Sequence, residues 1–565
     1  MESIESKLGK KGLLSKENED ENNLANERFV NGLSLRKRKI NSILSKQRGF
    51  ERFKNEGHKD YNLEKEKIEI PDEIKAKKYD DVEIFLKTMK TYIKSTDKEY
   101  NKYALYCIRV QTISNEGSNN KNDFSELLIK YDFISDILNL IQKNIDNLII
   151  INEGLWILIN VLYYQNNNID LVLFLSNQQC IQLYINILNK NDNNLRLNVY
   201  WLLSNLLFND NMELTNQIIF HLYMSSLFRL YIFKDLVDKN SKLREEELNS
   251  LIVILSKLSD FINKTFLQLK SYNIKNFIEY NSNVDYNSIK ENNEFLFHNS
   301  MKIFLDKIEY PNLTTYCLIG LSKLTNYLDD TTAFNDFFKT GICRKIVKEQ
   351  IKINEDALDY AVQIIGNYLS CLPDAYFDPI FMEETANYFS KILKTYPNIQ
   401  GLKRDIFWSA GNISACVSIN SGELLAKSGL IEIALNAIHT ENDLVVYEAL
   451  NFLLGFIDPQ NMEIIINYQN FDYINNLILC LKNIHNKCTS GKAYNSDILE
   501  KILTCFGFLF EIGSMFKMKD FENKFIIDFE KNGGFELLEI MFSICNSTKE
   551  IADKFEALLK FKNEN

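Results

Sequence analysis

From about residue 73 onward, apolar residues return every three or four positions in one stretch after another, separated by short polar breaks. That spacing gathers them on one face of a helix, so the body is read as a long series of helices. SNEGSNNKN, YQNNNID, NKNDNN and CLPDAYFDP are the connections between them. The pattern fades over 272–299, where dense Asn reads as an insertion within the series, and NIHNKCTSGKAYNSD at 483–497 reads as another loop. The most hydrophobic window, LIIINEGLWILINVLYY, is interrupted by Asn152, Glu153 and Asn160. It is shorter than the ~20 residues that span a bilayer and reads as a buried helix. Ahead of the body, residues 1–27 are polar with little periodicity, and the sequence predicts a disordered tail without a signal core. Residues 28–56 place Leu33, Ile40 and Leu44 at helical spacing among basic residues, as in a basic amphipathic helix. A linker over 57–72 follows, and Pro71-Asp72 forms a start signal for the first body helix.

The helices repeat. Each of the three tryptophans has an asparagine four residues on: Trp156 with Asn160, Trp201 with Asn205, and Trp408 with Asn412. Trp156 and Trp201 stand 45 residues apart, within the roughly 40–47 of armadillo and HEAT repeats. Stepping back from Trp408 reaches Gln363 with Asn367, then Tyr316 with Gly320; stepping forward reaches Asn451 with Gly455. Val253 and Lys257 fill the one remaining rung, and the long interval from 253 to 316 holds the Asn-rich insertion. The expected fold is all-α, a right-handed α-solenoid of about ten armadillo repeats over 73–565, in which each repeat buries its face against its neighbours.

Composition narrows the classes. The 20 Gly and 6 Pro are too few for the turns of an all-β protein. Between Arg28 and Lys54, nine basic residues face one acidic residue, Glu51. This segment therefore carries +8, and the rest −19 of the chain's net −11. A basic arm on an acidic body meets either its own body or an oppositely charged partner, and the body is no candidate for direct nucleic-acid binding. The ten cysteines, among them Cys107, Cys180, Cys317 and Cys416, form no C-x-x-C, and with 5 His no zinc set or other metal site is expected. No phosphate loop, nucleophile elbow or zincin motif occurs, so neither an enzyme nor a bound cofactor is expected.

Residues at i and i+4 share a helix face, so each Trp presents together with its Asn. An indole offers an apolar wall for a lysine stem and a π face for its ammonium, and an Asn amide can pair with an extended peptide backbone. A helical Trp is more commonly a core residue, and both readings stand; the repeated Asn companion, costly to bury without a partner, favours a binding face.

These residues resemble the importin-alpha family, whose third helices carry Trp and Asn one turn apart along a peptide-binding groove. FEKNGGFELLEIMFSICNSTKEIADKFEALLKF, with Gly533 and Gly534, is similar to that family's last repeat, and Leu35–Arg48, LRKRKINSILSKQR, to its importin-beta-binding segment. The resemblance covers 28–565 and implies a nuclear-import adapter shuttling between cytoplasm and nucleus. It would bind basic signal peptides of cargo through Trp156, Asn160, Trp201, Asn205, Asp210, Asn367, Trp408, Asn412 and Glu448. It would bind an importin-beta-like carrier through Arg28, Leu35, Arg36, Lys37, Arg38, Lys39, Leu44, Lys46, Arg48 and Arg52, and an exportin would recycle it. For Asp210 and Glu448 ordinary solvated charge is the competing reading. Departures from the family narrow the expectation: Lys257 puts a cation on the fourth rung, Tyr164 narrows a lysine pocket, and Gln47 interrupts the terminal basic run. The alternative is an armadillo interaction scaffold outside nuclear import. No membrane association is expected.

Overall fold

The computed structural model describes residues 82–207 and 245–564, except 115–120, 166–167, 191, 271–285, 327–334, 336, 372–377, 416–420, 518–522 and 545–547, together with positions 218 and 236. Tail, arm and linker, the Pro71-Asp72 start signal, Asp210 and Cys416 lie outside the described residues. Every regular element among the described residues is a helix. The chain divides into two compact units, one ending at Lys264 and one beginning at Thr265.

The first unit holds α1 (Val82–Ile93), α2 (Lys98–Ser114), α3 (Lys121–Lys130), α4 (Phe133–Lys143), α5 (Leu148–Tyr164), α6 (Ile169–Leu175), α7 (Gln178–Leu188), α8 (Asn193–Leu206) and the start of α9 (Glu245–Lys270). The helices come in threes. In α3–α4–α5 and α6–α7–α8 the third member packs against the second, and the third helices stack in order, α2 on α5 and α5 on α8. The apolar window of the sequence is α5, whose Ile151, Leu155, Leu158 and Leu162 are fully buried between these neighbours.

The second unit holds α10 (Tyr286–Lys307), α11 (Thr314–Thr325), α12 (Ile342–Val347), α13 (Leu358–Ser370), α14 (Pro379–Thr395), α15 (Gln400–Ser414), α16 (Ser421–Ser428), α17 (Leu430–Thr440), α18 (Asp443–Phe456), α19 (Met462–Asn467), α20 (Tyr473–Thr489), α21 (Ser496–Lys517), α22 (Lys524–Lys531), α23 (Gly534–Ile544) and α24 (Lys549–Glu564). Here α16–α17–α18, α19–α20–α21 and α22–α23–α24 are complete triplets. The third helices again stack in order: α11, α13, α15, α18, α21, α24. Three helices per period of about 45 residues is armadillo packing.

Two local rules build each triplet. Asn and Asp from the polar breaks cap the helices that follow: Asn147, Asn168 and Asn177 accept from Ile150, Leu171 and Cys180 N–H, and Asp192 from Leu195 N–H. These satisfy backbone donors that the first turn leaves open, so the Asn of the breaks is structural rather than compositional drift. The corner before the second helix turns on one left-handed residue, Gly429 (φ 80°) before α17 and Gly533 (φ 71°) before α23, where a side chain would be strained.

Two expected loops are shorter than the sequence implies. Helix α10 starts at Tyr286, inside the Asn-rich stretch, because Phe297, Met301, Phe304 and Ile308 keep the helical period and are buried. Asn lowers helix propensity only slightly, so composition concealed that pattern. Likewise α20 continues to Thr489, and the break is confined to the residues between it and α21.

Candidate functional site: the third-helix faces

In the first unit, α5 and α8 present Trp156 and Trp201 side by side. Both indoles are half-buried, and their ring centroids lie 5.4 Å apart at an interplanar angle of 71°. Edge-to-face contact between consecutive repeats fixes the two rings as a wall. In the second unit, Trp408 on α15 is half-buried too and packs closely on α13: a Cβ placed on Gly366 would come within 2.2 Å of the indole. Glycine is what allows that approach.

The asparagines do something the sequence left unseen. Asn160, Asn205 and Asn367 are buried, and each amide nitrogen donates to the third helix of the preceding repeat. Asn160 Nδ2 reaches Thr112 Oγ1 at 2.9 Å, Asn205 Nδ2 the Ile159 carbonyl at 3.3 Å, and Asn412 Nδ2 the Gly366 carbonyl at 3.1 Å. Ile159 and Gly366 are the residues just before the asparagine of the previous rung, so the bond repeats in register. Asn367 Nδ2 lies 3.2 Å from the Ser322 carbonyl and 3.1 Å from Thr325 Oγ1. The amide donors expected to meet a peptide backbone thus tie successive repeats together; the indoles remain as the exposed part of each pair.

The same register carries acids. Glu153, Asp405 and Glu448 stand three residues before Trp156, Trp408 and Asn451. Glu153 is buried and takes the Arg109 Nε–H at 2.5 Å from α2. Burial raises the Glu153 carboxyl above its ordinary value, and the guanidinium offsets this only in part. Asp405, also buried, accepts from Gln363 Nε2 at 2.7 Å and from its neighbour Arg404. Glu448 is half-buried and accepts from Asn451 Nδ2 at 3.2 Å. Burial raises it as well, with the Arg404 and Lys501 charges opposing. Glu247, almost fully enclosed, faces Arg196 at 3.5 Å. A charge expected to meet a ligand cation at Glu448 therefore already has cations of the protein around it. Recurrence three positions ahead of the rung was visible in the sequence and is the signal that would have found Glu153 and Asp405. Their partners, about 44 residues away, carry no such mark.

The remaining rungs differ. Val253 and Tyr316 are buried, so they are core rather than binding face. Lys257, Gln363, Tyr164 and Asn451 are half-buried. Among the described cysteines none is in a disulfide, and burial pushes the Cys180 thiol up to about 11.

The chain matches no protein-family model and no curated protein. Among solved structures it is similar to an engineered protein, at a TM-score of 0.57 and 12% identity, over 84% of this chain and 98% of that one. A designed armadillo repeat protein in complex with the peptide (KR)4 aligns at a TM-score of 0.34 and 13% identity, over 46% of this chain and 97% of that one. Computationally designed armadillo repeat proteins for modular peptide recognition align over the same share, at a TM-score of 0.34. The likeness to the engineered protein is one of fold, and what the chain is by its own geometry is an all-α armadillo-repeat solenoid.

Proposed function

We propose that this chain is a peptide-binding adapter, not an enzyme, that takes extended basic segments of other proteins onto its third-helix faces. One observation carries the reading: the half-exposed, edge-to-face pair of Trp156 and Trp201 on consecutive repeats. A lysine stem lying along such a wall buries methylenes, and its ammonium meets the electron-rich face of an indole. Trp408 offers a second, single indole in the other unit. Because the asparagine amides are spent on inter-repeat bonds, stacking on the indoles supplies most of the affinity, with Asn oxygens and waters in a secondary role. The basic segment from Arg28 to Arg52 supports the finer assignment of a nuclear-import adapter that docks on an importin-beta-like carrier, shuttles between nucleus and cytoplasm, and is returned by an exportin.

Binding of a fluorescein-labelled peptide of alternating lysine and arginine tests this. Trp201→Ala should weaken it by about 1–2 kcal/mol, with little change in melting temperature. A variant that melts much earlier yet binds the peptide as wild type would make Trp201 a core residue and end the proposal. The alternative, a scaffold outside nuclear import, draws on the acids: Glu153, Asp405 and Glu448 already have resident basic or amide partners, which suits a face selecting aromatic or neutral segments.

A further inference from the structure

Beyond Trp408 the ladder changes character. On α18 the rung is Asn451, and one turn earlier the same helix offers Tyr447 and Glu448, an aromatic face beside a carboxylate. Those are the two groups that hold a lysine: a π surface for the charged end and an acid next to it. The place over the ring is already taken. Lys501, on the next third helix α21, holds its ammonium nitrogen 4.6 Å from the centre of the Tyr447 ring. Its stem runs from a helix packed against α18, so the group is delivered from the fold itself. All three side chains are half-buried, which strengthens the electrostatic terms over those of a solvated pair. The next third helix also receives a lysine from the one beyond it. Lys554, on α24, donates to Glu500 Oε1 at 2.6 Å and to Thr504 Oγ1 at 3.1 Å, both on α21. Two successive third helices are thus each met by a lysine from the next third helix along. Trp156 and Trp201 meet another indole, and Trp408 meets the backbone of Gly366.

We propose that Lys501 is a built-in ligand of the α18 rung: its ammonium holds the place over the Tyr447 ring that a lysine of a bound peptide would occupy. Resting on the peptide-binding reading, this sets a limit to the register of a basic segment in the second unit. The segment uses Trp408 and gains the α18 rung only by displacing Lys501. Resident occupation makes the rear of this unit a selector. A peptide with an aromatic or acidic residue there can pair with the Lys501 ammonium in place, whereas a lysine there must compete with it.

The experiment has two arms on the full chain. In the first, acetic anhydride labels surface amines briefly, and mass spectrometry reads the rate at each lysine. Lys501 should react at least about threefold more slowly than the exposed Lys482 and Lys492, and Tyr447→Leu together with Glu448→Gln should bring it close to their rate. An unchanged Lys501 rate in that double variant overturns the proposal, since simple burial would explain the protection. In the second arm, the labelled lysine–arginine peptide is titrated into wild type, Lys501→Gln and Trp201→Ala. Where Trp201→Ala weakens binding, Lys501→Gln should tighten it about threefold; equal or weaker binding overturns the proposal. Peptide that binds none of the three proteins would defeat the peptide-binding function instead, and the labelling arm would still decide whether Lys501 is resident.

Discussion

Glu153 shows what the solenoid asks of a single side chain. Its carboxylate is buried, three residues before Trp156 in the chain, and the Arg109 guanidinium one repeat away is its counter-charge. Burial holds its proton more tightly than the ordinary 4.5 of a glutamate, while the unfolded chain returns it to that value. The folded pKa being raised, stability at this site is fully present below the unfolded value and is lost as pH rises through the folded one. Glu153→Gln keeps an acceptor for Arg109 and removes the titration. The stability of wild type relative to this variant, from denaturant unfolding at a series of pH values, should therefore decline from about pH 4.5 upward before levelling. A difference constant across that range would mean that Arg109 compensates burial in full. The arginine was not legible as a partner in the sequence. A one-turn spacing shows which residues share a face, whereas Arg109 and Glu153 meet because two helices stack, and nothing in either residue's neighbourhood names the other. The same limit hid the direction of the Asn amides: Trp201 and Asn205 share a face, yet the amide leans back to the Ile159 carbonyl.

At the level of elements the legible part was larger. The 45-residue step between Trp156 and Trp201 gave the third helices α5 and α8 directly, since these two repeats each place a tryptophan at the same turn. The polar breaks marked their ends, because an Asn cap needs its side chain outside the apolar period. Composition misled at α10, where Asn crowds a helix whose apolar positions still fall in register, and at the end of α20, which continues to Thr489. The corners between first and second helices were half legible: Gly533 announced one, but Asp132 and Asp472 hold the same left-handed conformation at φ 53° without a glycine to mark them. A side chain there costs on the order of 1 kcal/mol, against a smaller entropic cost for glycine. Asp132 is exposed, so Asp132→Gly relieves the strain without opening the core. It should raise stability by about 0.5 kcal/mol, and Asp132→Val, β-branched, should lower it by at least about 1 kcal/mol. Thermal melts of the two variants check the pair; a destabilised glycine variant would show that the aspartate contributes more than its backbone costs.

For the whole molecule the decisive quantity is charge and where it goes. The chain outside the arm bears −19, yet the buried acids Glu153, Glu247 and Asp405 are faced by Arg109, Arg196 and Arg404, so the surplus is carried by other acidic groups. Such a surplus attracts basic partners over about a Debye length, roughly 8 Å at physiological salt, and sets encounter more than final affinity. The arm over 28–54 carries +8 on nine basic residues, interleaved with Leu35, Ile40 and Leu44, and so calls for an acidic surface with apolar pockets. Under the proposed function that surface belongs to an importin-beta-like carrier. Immobilised peptide 28–54 should capture importin-beta at physiological salt, and capture should fall steeply toward about 0.5 M salt as the charges are screened. Leu35→Asp with Leu44→Asp should abolish it while lowering the segment's net charge only from +8 to +6, because pockets for the apolar residues give the contact its specificity. A peptide that captures nothing at physiological salt would remove the carrier from the scheme and leave a peptide-binding scaffold whose indoles serve other partners.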